Sequence, residues 1–119
     1  MEKITSINDL VQACYQNSAA HGFHDTPLNI GEKLMLITSE LSEALEADRK
    51  DNHYTGRTDM DFAPAVFEQY IKDTFQDELA DAAIRLFDLA GRLGIDLEWH
   101  IKQKMTYNAS RPHKHGKKY

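Results

Sequence analysis

Two pairs of carboxylates stand where a carboxylate is hard to satisfy. Glu40-Leu41-Ser42-Glu43 and Glu78-Leu79-Ala80-Asp81 each set two acids at i, i+3, which places both side chains on one face of a helix. On a wheel of about 100° per residue, Leu36, Ala47, Ala44 and Ile37 lie within about 60° of Glu40. Glu40 therefore falls inside the apolar stripe, with Glu43 on its margin. Around Glu78, the residues Leu89, Ala82, Phe75, Leu93 and Leu86 lie within about 80° on one side, with Asp81 and Arg85 on the other. Glu78 thus borders a core face, and Arg85 stands at i+4 from Asp81, where it is expected to neutralise it.

A carboxylate turned toward a core must be paired, protonated or bound to a cation. The nearby basic residues Arg49, Lys50 and Arg85 are too few to pair all four acids. A hard divalent cation satisfies them together. No His or Cys stands at a matching spacing, so oxygen ligands favour Mg²⁺, with Mn²⁺ as a substitute, over zinc. Mg²⁺ held by a few carboxylates keeps positions for water and for substrate phosphates.

Phosphates need cationic and amide donors, and the end of the chain carries them. The 119 residues include 14 Lys+Arg and 19 Asp+Glu, for a net charge of −5. Residues 1–100 balance at −11, whereas residues 101–119 balance at +6 with no acid at all. Lys104 and Asn108 share a helical face at i, i+4, and Arg111 and Lys114 follow in a basic tail over about 103–119.

The elements that must position these groups read as helices between short punctuated loops. Thr5 or Ser6 caps a first helix running to about Ala20, with Ile7, Leu10, Val11 and Cys14 at helical spacing. Asn29 caps a second over about Ile30–Lys50. Turn formers mark Asp51–Pro64 as a loop, and Ala65 to about Lys72 is a short helix or the start of the next. A long helix covers about Asp73–Arg92, closed by Gly94, and Asp96 caps a last one to about Ala109, before Pro112. No window alternates with a period of two. The chain is expected to be all-α, a single domain over residues 1–119, built as a four-to-five-helix bundle.

Several classes are excluded on the same grounds. The acidic balance argues against a duplex nucleic acid partner. No run of about 18 apolar residues exists, so no membrane span is expected. The start, Met-Glu-Lys-Ile-Thr-Ser, lacks the apolar core of a signal peptide, and cytoplasmic location is expected. Cys14 is the only cysteine; its apolar setting makes it a buried small hydrophobe rather than a nucleophile.

Glu40-xx-Glu43 followed by Glu78-xx-Asp81 resembles the ExxE…ExxD signature of the MazG-like all-α nucleoside triphosphate pyrophosphohydrolases. The ending Lys104-Met-Thr-Tyr-Asn108-Ala-Ser-Arg111 resembles the Lys-xxx-Asn-xx-Arg stretch of their small single-domain members. The likeness covers about Ile30–Lys50 and Phe75–Lys118. It implies Mg²⁺-dependent cleavage of a nucleoside triphosphate between the α and β phosphates, giving a monophosphate and pyrophosphate. It further implies that Glu40, Glu43, Glu78 and Asp81 ligate the metal and act in catalysis, and that Lys104, Asn108, Arg111 and Lys114 hold the substrate. A homo-oligomer, dimer or tetramer, completing the bundle and site is implied too. The segment of roughly His53–Tyr70 is longer than the compact members suggest; its Tyr54, Phe62, Phe67 and Tyr70 are expected to pack rather than to stack on a base.

Three other readings compete. A di-iron carboxylate bundle needs Glu-xx-His on two helices, and no Glu here has His at i+3. A non-catalytic oligomerisation module, whose acidic face meets a neighbour's basic tail, explains the charge division without metal. A family member that keeps fold and metal but has lost turnover is the third.

Overall fold

The computed structural model describes residues 3–119. Five α-helices form, and the described residues contain no strand: α1 (Ile7–Ala20), α2 (Ile30–Arg49), α3 (Pro64–Val66), α4 (Phe75–Arg92) and α5 (Leu97–Ala109). A π-helical turn (Phe67–Ile71) continues α3, and a 3₁₀ turn (His113–Gly116) follows α5.

Each long helix starts on a side chain that accepts an otherwise orphaned amide. Ser6 Oγ accepts from Asp9 N at 3.0 Å, Asn29 Oδ1 from Glu32 N at 3.0 Å, and Asp96 Oδ1 from Trp99 N at 3.1 Å. For α4 the cap is Thr74, one residue beyond the expected start; Asp77 Oδ2 returns the favour by accepting from Asp73 N at 2.9 Å. Gly94 lies just past α4 with φ +66°, the left-handed position that ends a helix most readily without a Cβ.

Helix α4 is the centre of the molecule, with α2 packed along one side and α1 along the other. Helix α5 meets the start of α1, where Ile7 N donates to Glu98 Oε1 and Asn8 Nδ2 to Asp96 Oδ1, both at 2.8 Å. The residues that bury themselves are small: Cys14, Ala44, Ala47, Ala82 and Ala90, with Val11 and Leu89 the largest. Small side chains let helix backbones approach closely. At Gly91 the approach is closest, since a Cβ there would lie 2.6 Å from Tyr15 Cβ and 3.3 Å from the Val11 carbonyl oxygen.

The outward faces are unusually apolar. Leu34, Leu41 and Leu45 on α2, Leu79 and Leu86 on α4, and Leu93 just after it are each 40–51% exposed. The radius of gyration, 16.7 Å, exceeds the roughly 13.5 Å typical of a compact chain of this length. The long linker contributes to both features. Its start is anchored to α4, where Phe75 N donates to the Asn52 carbonyl at 2.9 Å and Tyr54 N to Gln76 Oε1 at 2.8 Å. The four linker aromatics divide: Tyr54 and Phe67 are half-buried, whereas Phe62 and Tyr70 stay exposed, with the Phe62 ring 6.0 Å from that of Phe67. Within α3 and the π turn no residue is fully buried, and Val66, Phe67 and Ile71 are half-buried.

The Gly91 contact yields a test with a defined sign. In an exposed helix interior Gly→Ala gains about 1 kcal/mol of propensity. Gly91→Ala should instead lose about 1–3 kcal/mol through overpacking against α1. Thermal or urea unfolding checks it, and a stabilised variant would show that α1 and α4 do not meet there.

Candidate metal centre and adjoining cavity

The two acidic pairs come together across the α2–α4 seam. Glu40 sits in the row of Ala44 and Ala47, and Glu78 in the row of Ala82 and Leu89, so both are carried inward by the residues that close the seam. Glu40 is buried as its wheel position suggests, and Glu78, placed by sequence at the border, is only 5% exposed. Asp81 is half-buried beside them, while Glu43 stays exposed at the rim. One oxygen from each of Glu40, Glu78 and Asp81 lies within 4.8 Å of the others.

The three carboxyls are held in different states. Burial alone would push Glu40 upward, but hydrogen bonds from Arg85, Glu78 and Glu43, with the Arg85 charge, hold it below the usual carboxylate value. Burial, then hydrogen bonds shared with Glu43 and Glu40 and their negative charges, push Glu78 up to about 8. Burial, then the charges of Asp77 and Glu40, also raise Asp81, against an opposing pull from Arg85. Arg85 departs from expectation. Its Nε donates to Glu40 Oε1 at 2.9 Å, across the seam, rather than pairing with Asp81 on its own helix. The more deeply buried carboxylate has the greater need of a donor, and that decides the partner.

Glu78 Oε2 is left with no hydrogen-bond partner although it is fully buried. Its neighbours are other carboxyls, so only a shared proton or a cation relieves it. The donor set fits a hard divalent cation: all ligands are oxygens, one from each carboxyl, and they lie within 4.8 Å of one another.

A cavity of about 400 Å³ opens beside the cluster, between α1, the α1–α2 loop, α2 and α4. Glu40, Asp81 and Arg85 form one part of its wall, and Lys33, His24, Asp88 and Arg92 another. His24 Nε2–H donates to Asp88 Oδ1 at 2.7 Å, its ring stacks on Tyr15 at 5.1 Å, and its Nδ1 has no partner. Arg92 Nη2 donates to the Thr26 carbonyl at 2.6 Å, leaving Nη1 buried and unpaired. Cys14 also lines the wall; burial, then the Asp88 charge, raise its thiol, which keeps it in the unreactive form. His24, Lys33, Asp88 and Arg92 were not singled out in the sequence. Their signal was available on α4, where Asp81, Arg85, Asp88 and Arg92 form an alternating charged row at i, i+4, i+7 and i+11.

The four tail residues are not brought to the cluster within this chain. None of Lys104, Asn108, Arg111 and Lys114 lines the cavity. Instead the Tyr107 ring is flanked by Lys104 Nζ at 5.0 Å and the Arg111 guanidinium at 5.3 Å. Arg111 Nη2 also donates to the His115 carbonyl at 3.3 Å, and Lys114 sits in the 3₁₀ turn with φ +53°.

No family model, curated protein or solved structure matches the chain. None of the helices, over the described residues, is long and apolar enough to cross a membrane.

The raised Glu78 makes stability depend on pH in a definite direction. Its folded value of about 8 lies above the ordinary 4.5, so the folded state keeps a proton that the unfolded chain has released. That contribution is full below 4.5 and is lost as pH rises toward about 8. In chelator, the melting temperature should therefore fall between about pH 5.5 and about pH 8.5. Glu78→Gln should flatten the fall, and Mg²⁺ should raise the melting temperature most at the alkaline end; an unchanged profile in Glu78→Gln would refute the assignment.

Proposed function

We propose that the chain is a Mg²⁺-dependent nucleoside triphosphate pyrophosphohydrolase of the MazG-like all-α type. The observation that carries this reading is the buried Glu78 Oε2, without a partner among the described residues, inside an all-oxygen cluster with Glu40 and Asp81, beside a cavity whose wall also carries Lys33, Arg85 and Arg92. Glu40, Glu78 and Asp81 would hold the cation, with Mn²⁺ able to replace Mg²⁺. The chemistry it supplies is positive charge against phosphate oxygens. Glu43, exposed beside Glu78, would accept a proton from water attacking phosphorus. Water then adds across the bond between the α and β phosphates, releasing a monophosphate and pyrophosphate. The cavity is of a size to take the nucleoside, with His24, Asp88 and Arg92 offering hydrogen bonds to it.

In this reading the working unit is a homo-oligomer, a dimer or tetramer. The exposed leucines of α2 and α4, the scarcity of large buried side chains and the extended shape all support a second copy covering these faces. Lys104, Asn108, Arg111 and Lys114 would then reach the cluster of a neighbouring copy rather than their own. Leu41→Asp with Leu86→Asp should convert the assembly to monomers by light scattering and abolish turnover.

Pyrophosphate release from every common NTP and dNTP with Mg²⁺ tests the activity directly. Glu43→Gln should reduce it by at least about 100-fold, and truncation before Arg111 should raise KM or remove activity while far-UV circular dichroism is unchanged. Release by Glu43→Gln equal to wild type would refute the proposal. The exposed leucine rows also favour one competing reading, a non-catalytic oligomerisation module. Such a module has no saturable response of stability to Mg²⁺, and the hydrolase does.

A further inference from the structure

We propose that Arg85 is an exchangeable counter-ion: it neutralises Glu40 while the acidic cluster holds no cation, and transfers to an oxygen of the polyphosphate once a cation takes its place. The inference rests on the cation-site reading above and adds to it a residue that the acidic pairs do not include.

Three observations place Arg85 in this role. Its Nε donates to Glu40 Oε1 at 2.9 Å, so it already engages the carboxylate that would hold a cation together with Glu78 and Asp81. The two ends of that ion pair differ in setting: the Glu40 side chain is 11% exposed, the Arg85 side chain 43%. The carboxylate is therefore fixed in the seam, while the guanidinium can move without opening it. Arg85 also lines the cavity, one helical turn beyond Asp81, and its two Nη groups have no protein acceptor among the described residues.

The electrostatics follow from these positions. A cation and a guanidinium compete for the charge of one carboxylate, and repulsion between them at short range disfavours both remaining there. A displaced Arg85 stays within reach of whatever enters the cavity beside the cluster. A guanidinium with free Nη groups is suited to two parallel hydrogen bonds with a phosphate. Other cavity cations differ: Arg92 is tied to the Thr26 carbonyl, and Lys33 holds no carboxylate of the cluster.

Two binding measurements on the full chain separate this role from a structural one. Isothermal calorimetry with Mn²⁺ alone should show Arg85→Met binding about tenfold tighter than wild type, the effect of removing a charge-assisted competitor. Inorganic tripolyphosphate titrated at saturating Mn²⁺ should bind Arg85→Met about tenfold more weakly. Loss of packing would move both affinities in one direction. Lys33→Gln removes the same charge from the same cavity and should change Mn²⁺ affinity by less than about threefold. The ¹⁵N resonance of the Arg85 Nε–H, followed in wild type, should shift on adding Mg²⁺ and shift again with tripolyphosphate. Saturable Mn²⁺ binding by wild type with equal or weaker binding by Arg85→Met, or an unmoved Nε–H signal, would overturn the exchange while leaving the cation site standing. Absence of Mn²⁺ binding in wild type would overturn the cation site and this inference with it.

Discussion

The structure turns on the burial of Glu78 and Glu40 within a helix seam that closes through alanines. Ala44 and Ala47 on α2 face Ala82 on α4, and the same rows carry the two glutamates inward. Small residues set the helices close together, and closeness is what denies the carboxyls water. An all-apolar seam of that shape would be more stable, since an unsatisfied buried acid costs far more than a methyl group. The chain offsets part of that cost locally. Arg85 crosses to Glu40, and burial beside Glu43 and Glu40 raises Glu78 toward its protonated, uncharged form.

The same economy of bulk leaves the molecule open elsewhere. Alanine-rich contacts bury little apolar surface, and only Val11 among larger side chains is fully enclosed. The leucines that would ordinarily fill a bundle core point outward from α2 and α4. Under the proposed function, a second copy would cover these faces. The separation of the basic tail from the acidic cluster has the same origin. Helix α5 docks on the start of α1 rather than on the α2–α4 seam, so its far end leads away from the carboxyls.

Helix existence, order and caps were legible because they depend on local chemistry. Ser6, Asn29 and Asp96 are strong N-cap types, Gly94 a strong stop, and the wheel of α2 places Glu40 inward whatever it packs against. What the sequence concealed depends on distance between elements. The choice of Arg85 between Asp81 and Glu40 is decided by which carboxylate is deeper, and depth is a property of two helices together. His24 lies in a loop without periodicity, so its pairing with Asp88 has no one-dimensional signature. The linker aromatics follow composition only in part: Tyr54 and Phe67 are half-buried, but which of the four rings finds a neighbour depends on the path of a loop without periodicity.

Charge balance ties these points to the proposed reaction. Around the cavity, Lys33, Arg85 and Arg92 stand against Glu40, Asp81 and Asp88, with Glu78 holding its proton. That balance suits a site without ligand and fails for a triphosphate, which brings several negative charges into a partly desolvated space. Arg85 alone cannot offset them, because releasing it to the phosphates strips Glu40 of its partner. A divalent cation resolves both demands by serving the carboxylates and the phosphates together. The remaining excess is what a basic segment from a second copy can meet. On this argument the split between an acidic body and a basic tail is not two unrelated surface properties. Under the proposed function it would be one electrostatic requirement divided between chains, met when substrate, cation and partner are present together.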